Sequence, residues 1–251
     1  MNGYEIKFLG ESSFYINENT VIDAGNLKNA LGSQSIAIEN IYLTHSHLDH
    51  IVDIAYILDD YYTMRTKTLN IFGLPQTLNA VKEHFLNDII WPDFSNIRLK
   101  DQNNYAVRYI PIEINKKYTL SNEEYITAFQ TDHSVESCGY IYMKRNKGVM
   151  ITSDTLSLSN ALEIINGSKE IKSLIVECSF SSKMKKLALQ SKHLTPKLLF
   201  AELKKLNRDD ISIFANHLKV EYEEKIKSEI AGFRTQIEID IIKNGEIIHF
   251  G

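Results

Sequence analysis

The order of hydrophobic patterns along the chain most constrains how its 251 residues can fold. Short apolar runs typical of strands occupy the first 45 residues, and an amphipathic helical pattern follows from His50 to Met64. Strand-rich sequence returns between Tyr105 and Ile151, after which helices and strands alternate. This order predicts an α/β chain, α+β in some schemes, with two mixed β-sheets flanked by helices.

We expect residues 1–251 to form a single domain. Neither an internal repeat nor a linker rich in Pro, Gly or Ser interrupts the pattern. Hydrophobic residues make up 43% of the chain and charged residues 24%, a balance that excludes a disordered chain. A chain of this length can also bury a large core without disulfide bonds.

Net charge and composition indicate which classes of partner and which cellular compartment to expect for this protein. The net charge of −4 provides no positive field to attract a long nucleic acid. The first residues, MNGYEIKFLG, lack the pattern of a secretory signal, and the sequence contains no apolar stretch of membrane-spanning length. Cys138 and Cys178 have no metal-type spacing. We therefore expect a cytoplasmic protein without membrane or long nucleic-acid partners, and leave a homodimer open.

Three imidazoles and one carboxylate fall within six positions directly after an apolar strand, in the segment THSHLDH at 44–50. On a loop that leaves a strand, His45 and His47 can point at one ion. Asp49 and His50 begin the next helix and can face a second ion. Such ligands suit zinc, and less selectively manganese or iron. The motif therefore predicts a site for two divalent metal ions.

Four ligands cannot fill two coordination spheres, so this hypothesis requires further ligands downstream. His133, Asp154 and His217 each follow a predicted strand, where the carboxyl ends of strands would deliver them to one rim. An aspartate in that position is also a common helix cap, and capping and ligation could coexist at Asp154. His84 and His249 have no such partners, and we interpret both as structural.

The HxHxDH motif followed by single His, Asp and His residues resembles the metallo-β-lactamase superfamily. Within it, the chain is similar to the class II cyclic-nucleotide phosphodiesterases. The similar stretches are THSHLDH at 44–50, FGLPQTLNAVKEHFLNDIIWPDF at 72–94, VECSF at 176–180 and KHLTPKLLFAEL at 192–203. This resemblance implies a four-layer αββα sandwich with a dinuclear site. VECSF is followed by Ser-Ser-Lys rather than the expected proline, a departure that bears on loop geometry and base selectivity.

The resemblance also implies a role for each site residue. It makes His45, His47 and His133 ligands of the first metal, and Asp49, His50 and His217 ligands of the second, with Asp154 bridging both. Glu177 and His193 match a paired acid and histidine beside the metals. His193 would then be the general acid and Glu177 would orient it, so that His193, Glu177 and the ligand Asp49 are the expected catalytic residues.

The expected reaction is hydrolysis of a small cyclic-nucleotide substrate, cAMP or cGMP, to a nucleoside 5′-monophosphate by a hydroxide that bridges the metals. One alternative is a tRNA 3′-end processing endonuclease, although we find no extended basic or glycine-rich arm of the kind that grips tRNA. A second is a metallo-hydrolase of another ester, such as a lactone or sulfate ester. A third is a metal-binding or nucleotide-sensing protein without catalysis, which would not need a proton donor such as His193.

Overall fold

A computed structural model describes residues 3–100, 103–233 and 237–251. The chain divides into two compact units. The first comprises Met1–Glu113 and Asn244–Ile248, and the second comprises Ile114–Lys243 and His249–Gly251. Each unit contains one seven-stranded mixed sheet, so the two mixed sheets predicted from the sequence are confirmed. The single domain stays a prediction.

The first unit is built on a sheet with the strand order β14-β1-β2-β3-β4-β5-β6. Strands β1, β2 and β3 pair in an antiparallel arrangement, and β3 to β6 run parallel. Its elements are β1 (Glu5–Gly10), β2 (Ser13–Asn17), β3 (Thr20–Ile22), α1 (Leu27–Leu31), β4 (Asn40–Tyr42), α2 (Leu48–Tyr61), β5 (Leu69–Gly73), α3 (Pro75–His84), β6 (Val107–Pro111) and the edge strand β14 (Ile247–His249), whose last residue is counted in the second unit.

The second unit is built on a sheet with the order β13-β12-β11-β10-β9-β8-β7. Its strands β7 to β10 are antiparallel, and β10 to β13 run parallel. Its elements are β7 (Lys117–Ser121), β8 (Glu124–Gln130), β9 (Cys138–Lys144), β10 (Lys147–Ile151), α4 (Ser159–Gly167), β11 (Ile171–Glu177), α5 (Lys185–Ser191), α6 (Pro196–Leu203), β12 (Ser212–Asn216), α7 (Glu223–Ala231) and β13 (Asp240–Ile241).

Each sheet packs its helices through a separate apolar core. In the first unit, the α2 residues Ile51, Ile54 and Leu58 are buried in a cluster that includes strand residues of the sheet. This is the helical face predicted from the spacing of apolar residues. In the second unit, residues of α4, α6 and α7 join those of β11 and β12 in a second cluster. Burying one such aliphatic side chain stabilises a fold by about 1.5–3 kcal/mol.

Most predicted elements are present, with ends that differ by a few residues. The helix predicted from His50 to Met64 begins two residues earlier and ends in a 3-10 turn at Tyr62–Met64. The predicted irregular segment 87–104 contains only isolated bridges, and its residues 101 and 102 lie outside the described residues. Within the ranges that the structure covers, none of the helices combines the length and apolarity needed to cross a bilayer.

Candidate functional site

The histidine motif of the first unit lies between strand β4 and helix α2. The extended backbone of His47 precedes the helix, which begins at Leu48 and has Asp49 in its first turn. A carboxylate there interacts favourably with the positive end of the helix dipole. His45 and His50 are buried, whereas His47 and Asp49 are half-buried. The loop and the first turn of the helix thus place four candidate ligands within six residues.

Asp23 supports this motif, a role that the sequence reasoning missed. Its buried carboxylate is 2.8 Å from Nδ1 of His50 and accepts hydrogen bonds from the backbone N–H and the hydroxyl of Thr44. Burial raises the pKa of Asp23, and the contacts with His50 and Thr44 oppose the shift. A carboxylate behind a histidine is the usual outer support of a metal ligand. An aspartate just after an apolar strand was the available sequence signal.

The hydrogen bonds around Thr44 also select the nitrogen that His45 can offer to a metal. The Thr44 hydroxyl donates to Asp23, so its lone pairs can accept from Nδ1–H of His45, 3.0 Å away. Nε2 of His45 then lies 3.0 Å from Nδ1 of His47. Tetrahedral zinc, with Zn–N distances of about 2.0 to 2.1 Å, separates its nitrogens by roughly 3.3 Å. The spacing of this pair is therefore close to that of two nitrogens on one ion.

The start of helix α2 also contacts Ser12 and Gly25 closely. Ser12 donates a hydrogen bond to the carbonyl oxygen of Asp49 at 2.8 Å. A Cβ atom on Gly25 would lie 1.9 Å from the same oxygen. Only glycine fits at position 25 without a shift of the backbone. The motif is thus packed tightly against the segment that follows β3.

In the second unit, three candidate ligands follow the carboxyl ends of β8, β10 and β12. They are His133, Asp154 and His217, and their side chains are buried. Asp154 lies between the two histidines: Oδ1 is 3.4 Å from Nε2 of His217, and Oδ2 is 3.9 Å from Nε2 of His133. One carboxylate oxygen is therefore directed at each histidine, an arrangement suited to bridging two ions.

The tautomer of His133 follows from a backbone contact on its far side. Its Nδ1 lies 3.2 Å from the carbonyl oxygen of Lys192. Because a carbonyl can only accept, Nδ1 carries the hydrogen, and in the neutral imidazole the lone pair is then on Nε2, which faces Asp154. This is the orientation that a metal-binding imidazole requires.

Glu177, at the end of β11, accepts hydrogen bonds from several segments around the site. Oε1 accepts hydrogen bonds from the backbone of Thr155 and Leu194 and from Nδ1 of His193 at 2.9 Å. Oε2 accepts from the backbone N–H and the hydroxyl of Ser179. The side chain is fully buried. A buried carboxylate with this many donors stays oriented, and it orients His193 in turn.

His193 presents its other nitrogen to the candidate ligands. Its Nε2 lies 4.0 Å from Oδ2 of Asp154. Burial lowers the pKa of His193, but the hydrogen bond and charge of Glu177 and the charge of Asp154 outweigh this effect, so the pKa is raised overall. The imidazolium form is thus stabilised next to the candidate metal ligands, which is what a proton donor requires.

The loop that carries His193 is defined by helix ends on both sides. Helix α5 ends at Ser191 and is followed by Lys192 in a left-handed conformation, and the side chain of Thr195 accepts a hydrogen bond from Leu198 at the start of α6. Pro196 occupies the first turn of α6, where its missing N–H has no cost. These signals give His193 a fixed position between two helices.

The structure brings the predicted residues together within each unit. His45, His47, Asp49 and His50 share one loop and helix start in the first unit. Donor atoms of Asp154, His193 and His217 lie within 4.8 Å of one another in the second unit, so His193 is also within reach of a metal ligand's position. The sequence reasoning missed Ser179, whose hydroxyl is 3.2 Å from Nδ1 of His193. Histidine and carboxylate groups of this kind suit divalent metal ions.

Sequence comparisons identify relatives among nucleotide and RNA phosphodiesterases. The chain is 39% identical over 59 residues to 3′,5′-cyclic-nucleotide phosphodiesterase 1 of Saccharomyces cerevisiae. The aligned stretch covers 23% of this chain and 16% of the yeast protein. It is 27% identical over 109 residues to a nuclear ribonuclease Z of Triticum aestivum, covering 43% of this chain and 56% of that protein. The chain thus matches less than two thirds of the length of these relatives.

Structural comparisons cover nearly the whole chain. Unliganded yeast PDE1 superimposes with a TM-score of 0.80 at 18% identity, over 99% of this chain and 100% of that one. The metallo-beta-lactamase fold protein YhfI from Bacillus subtilis gives a TM-score of 0.72 at 18% identity, over 98% of both chains. The metallo-β-lactamase fold expected from the motif is therefore confirmed.

A family comparison matches the region that contains the histidine motif. The profile described as cAMP phosphodiesterases class-II matches residues 13–162, more than half of the chain. The matched region includes His133 and Asp154 as well as the motif at 44–50. By this match, the chain belongs to the class-II cAMP phosphodiesterase family.

Proposed function

We propose that the protein hydrolyses 3′,5′-cyclic nucleotides, cAMP or cGMP, to nucleoside 5′-monophosphates with the help of two divalent metal ions. The observation that carries this proposal is the buried cluster of the second unit, in which Asp154 faces two histidines and His193 is bound to Glu177. A simple metal-binding protein has no need of a histidine whose protonated form is stabilised in this way.

The donor atoms in both units fit this metal requirement. We propose that His45, His47 and His133 hold the first ion, that Asp49, His50 and His217 hold the second, and that Asp154 bridges both. The contacts of His133 and His45 leave Nε2 as the ligand nitrogen, and the two oxygens of Asp154 face different histidines. Divalent ions bound there would activate water and neutralise charge on the phosphoryl oxygens.

His193 is the proposed source of the proton that the leaving group needs. The 3′-oxygen departs as a strongly basic alkoxide, so a positioned acid contributes about 10²- to 10⁴-fold to the rate. Glu177 accepts from Nδ1 and thereby keeps Nε2–H as the donating group. The hydrogen bond and charge of Glu177 raise the pKa of His193 and so favour the protonated form that this step consumes.

The proposed step is balanced in atoms and protons. Water adds its oxygen to phosphorus, and the bond between phosphorus and the 3′-oxygen breaks. The 3′-oxygen takes the proton from Nε2 of His193, and the proton released by water returns the histidine to its starting form. The product is a nucleoside 5′-monophosphate, and no redox partner is needed.

Product identification tests this proposal directly. Metal-replete protein is incubated with 3′,5′-cyclic AMP, 3′,5′-cyclic GMP and bis(p-nitrophenyl) phosphate, and the products are separated by chromatography. We expect 5′-monophosphate from at least one cyclic nucleotide. Cleavage of the synthetic diester alone would contradict the proposal, and a panel of lactones and sulfate esters would then identify another ester substrate.

Processing of tRNA 3′ ends is the second candidate, favoured by the similarity to ribonuclease Z over 109 residues. The net charge of −4 argues against it, because proteins that hold long nucleic acids use positive surfaces to displace counterions. A precursor tRNA carrying a 3′ trailer is the matching substrate. Faster cleavage of that RNA than of cyclic nucleotides would make the endonuclease the better assignment.

The identity of the metal, the cellular location and the oligomeric state also stay predictions. Zinc is the expected metal, with manganese or iron as alternatives, and metal analysis of protein purified without added metal would identify it. A cytoplasmic location and a homodimer are likewise untested.

A further inference from the structure

Asp132 and Lys192 each directly precede a site histidine, and they bind each other. Nζ of Lys192 lies 2.7 Å from Oδ1 of Asp132. The pair joins the segment of His133 to the segment of His193, although Asp132 and Lys192 are 60 residues apart in the sequence. The mechanism proposed above uses neither side chain.

The backbone of Lys192 explains why this ion pair matters for the site. Lys192 has φ 56° and ψ 53°, a left-handed conformation that is strained for residues other than glycine, asparagine and aspartate. Its carbonyl oxygen is the group that faces Nδ1 of His133 at 3.2 Å. The side chain of Lys192 therefore anchors a strained residue whose carbonyl selects the tautomer of a candidate metal ligand.

Asp132 is itself held in place on the other side. Its backbone N–H donates to Oγ1 of Thr155 at 3.1 Å, and its carbonyl oxygen accepts from the backbone N–H of Leu156 at 2.9 Å. Thr155 follows Asp154 directly and donates its own N–H to Glu177. Asp132 thus gives Lys192 an anchor that is fixed to the segment carrying Asp154.

We propose that the Asp132–Lys192 ion pair is a positioning device for metal binding at His133. By holding the Lys192 carbonyl against Nδ1, the pair keeps Nε2 of His133 available as a ligand. Asp132 and Lys192 are positioning residues that touch neither metal nor substrate. The inference rests on the proposed function only in taking His133 as a metal ligand.

A second ion pair of the same unit provides a matched control. Lys172 and Asp210 also lie 2.7 Å apart, with side chains 35% and 49% exposed. The side chains of Lys192 and Asp132 are 41% and 46% exposed. Distance and exposure are therefore nearly equal, and only the Asp132–Lys192 pair adjoins a candidate ligand. Asp210 also binds Arg208 at 2.7 Å, so Asp210→Asn removes more than one ion pair and is the stricter control.

The test measures zinc affinity by competition with a chromophoric chelator, in the wild type and in Asp132→Asn, Lys192→Asn, Lys192→Arg and Asp210→Asn. Asparagine tolerates the left-handed conformation, so Lys192→Asn removes the charge without adding backbone strain. We expect about fivefold weaker binding for Asp132→Asn and Lys192→Asn. This is less than the roughly 10- to 100-fold effect of groups bonded directly to a ligand, because the pair is partly solvated. Lys192→Arg should retain the affinity, and Asp210→Asn should match the wild type.

Salt separates this role from a general effect on folding. Added NaCl at about 1 M shortens the Debye length to about 3 Å, so the difference between wild type and Asp132→Asn should shrink. Equal affinities for Asp132→Asn and Asp210→Asn, or a loss in Lys192→Arg as large as in Lys192→Asn, would overturn the positioning role while leaving the proposed function intact. A wild-type protein that binds none of zinc, manganese and iron would overturn the metal proposal and this inference together.

Discussion

The two groups of candidate ligands are organised in opposite ways. In the first unit, four candidates fall between His45 and His50, and one buried carboxylate, Asp23, supports them through Thr44 and His50. In the second unit, the candidates follow three separate strand ends, and the Glu177 carboxylate connects the intervening segments. The first group is assembled by local chain geometry, and the second by the register of a sheet.

This difference predicts different sensitivities to mutation. A local motif keeps its ligands close as long as its own loop and helix start persist. The dispersed group depends on individual side chains that join distant segments, so single substitutions there should affect metal binding and chemistry more strongly.

The largest expected effect is at Asp154, the carboxylate that faces two histidines of the dispersed group. Asp154→Asn should deplete at least one metal equivalent and lower turnover about 10³-fold, since a metal contributes several kcal/mol to the transition state. Elemental analysis of purified protein and steady-state rates measure the two effects. Full occupancy with normal turnover would rule out a bridging Asp154.

The next largest effect is expected at His193, where rate and metal content together distinguish a proton donor from a metal ligand. His193→Ala should lower turnover with cyclic nucleotide by about 10²-fold or more while both metals are retained. Because His193 lies within ligand distance of Asp154 and His217, metal content must be measured in the same preparation. Loss of a metal equivalent would make His193 a ligand, and a near-normal rate would remove it from the mechanism.

The pH dependence of turnover tests the role of Glu177. The hydrogen bond and charge of Glu177 raise the pKa of His193, and a general acid is active only below its pKa. Turnover should therefore fall as the pH rises through that pKa. In Glu177→Gln the fall should begin at lower pH, and the maximal rate should be about tenfold lower. A pH–rate profile that is unchanged in the variant would contradict this coupling.

The smallest effect concerns the local motif and is measured as stability. Gly25→Ala should lower the free energy of unfolding by about 1–3 kcal/mol, because its Cβ would lie 1.9 Å from the Asp49 carbonyl oxygen. Gly167→Ala is the control, since a Cβ there meets no atom within 4 Å and should be neutral or stabilising by up to about 1 kcal/mol. Urea unfolding of both variants gives the comparison. Equal stabilities would mean that the α2 start can move freely.

Elements with strong periodicity were predictable from the sequence, and weakly patterned ones were not. Helix α2 and strand β5 appear where their apolar spacing indicates. Strand β7 lies within the strand-rich region predicted between Tyr105 and Ile151, but its own bounds were not predicted. Its residues alternate only between half-buried and exposed, a pattern typical of the edge of a sheet. Helix α1 was missed because it has only five residues, of which Leu27 alone is buried.

Supporting residues of the site were harder to predict than the candidate ligands. Histidines in a dense motif are rare, so His45, His47 and His50 are conspicuous. Ser179, Asp132 and Lys192 are common residue types in ordinary positions, and nothing in their local sequence distinguishes them from turn or surface residues. Asp23 has only the weak signal of following an apolar strand. Their importance depends on contacts with residues up to 60 positions away.

The sequence alone was sufficient to predict two mixed sheets, a group of candidate ligands in the motif at 44–50, and the placement of His133, Asp154 and His217 after strands. These features depend on hydrophobic period and on residue chemistry, both of which are local properties. The tertiary structure decided which nitrogen His133 presents, which oxygen of Asp154 faces which histidine, and how Glu177 joins three segments. Hydrogen bonds between distant segments determine these details, and their geometry exists only once the sheet has formed.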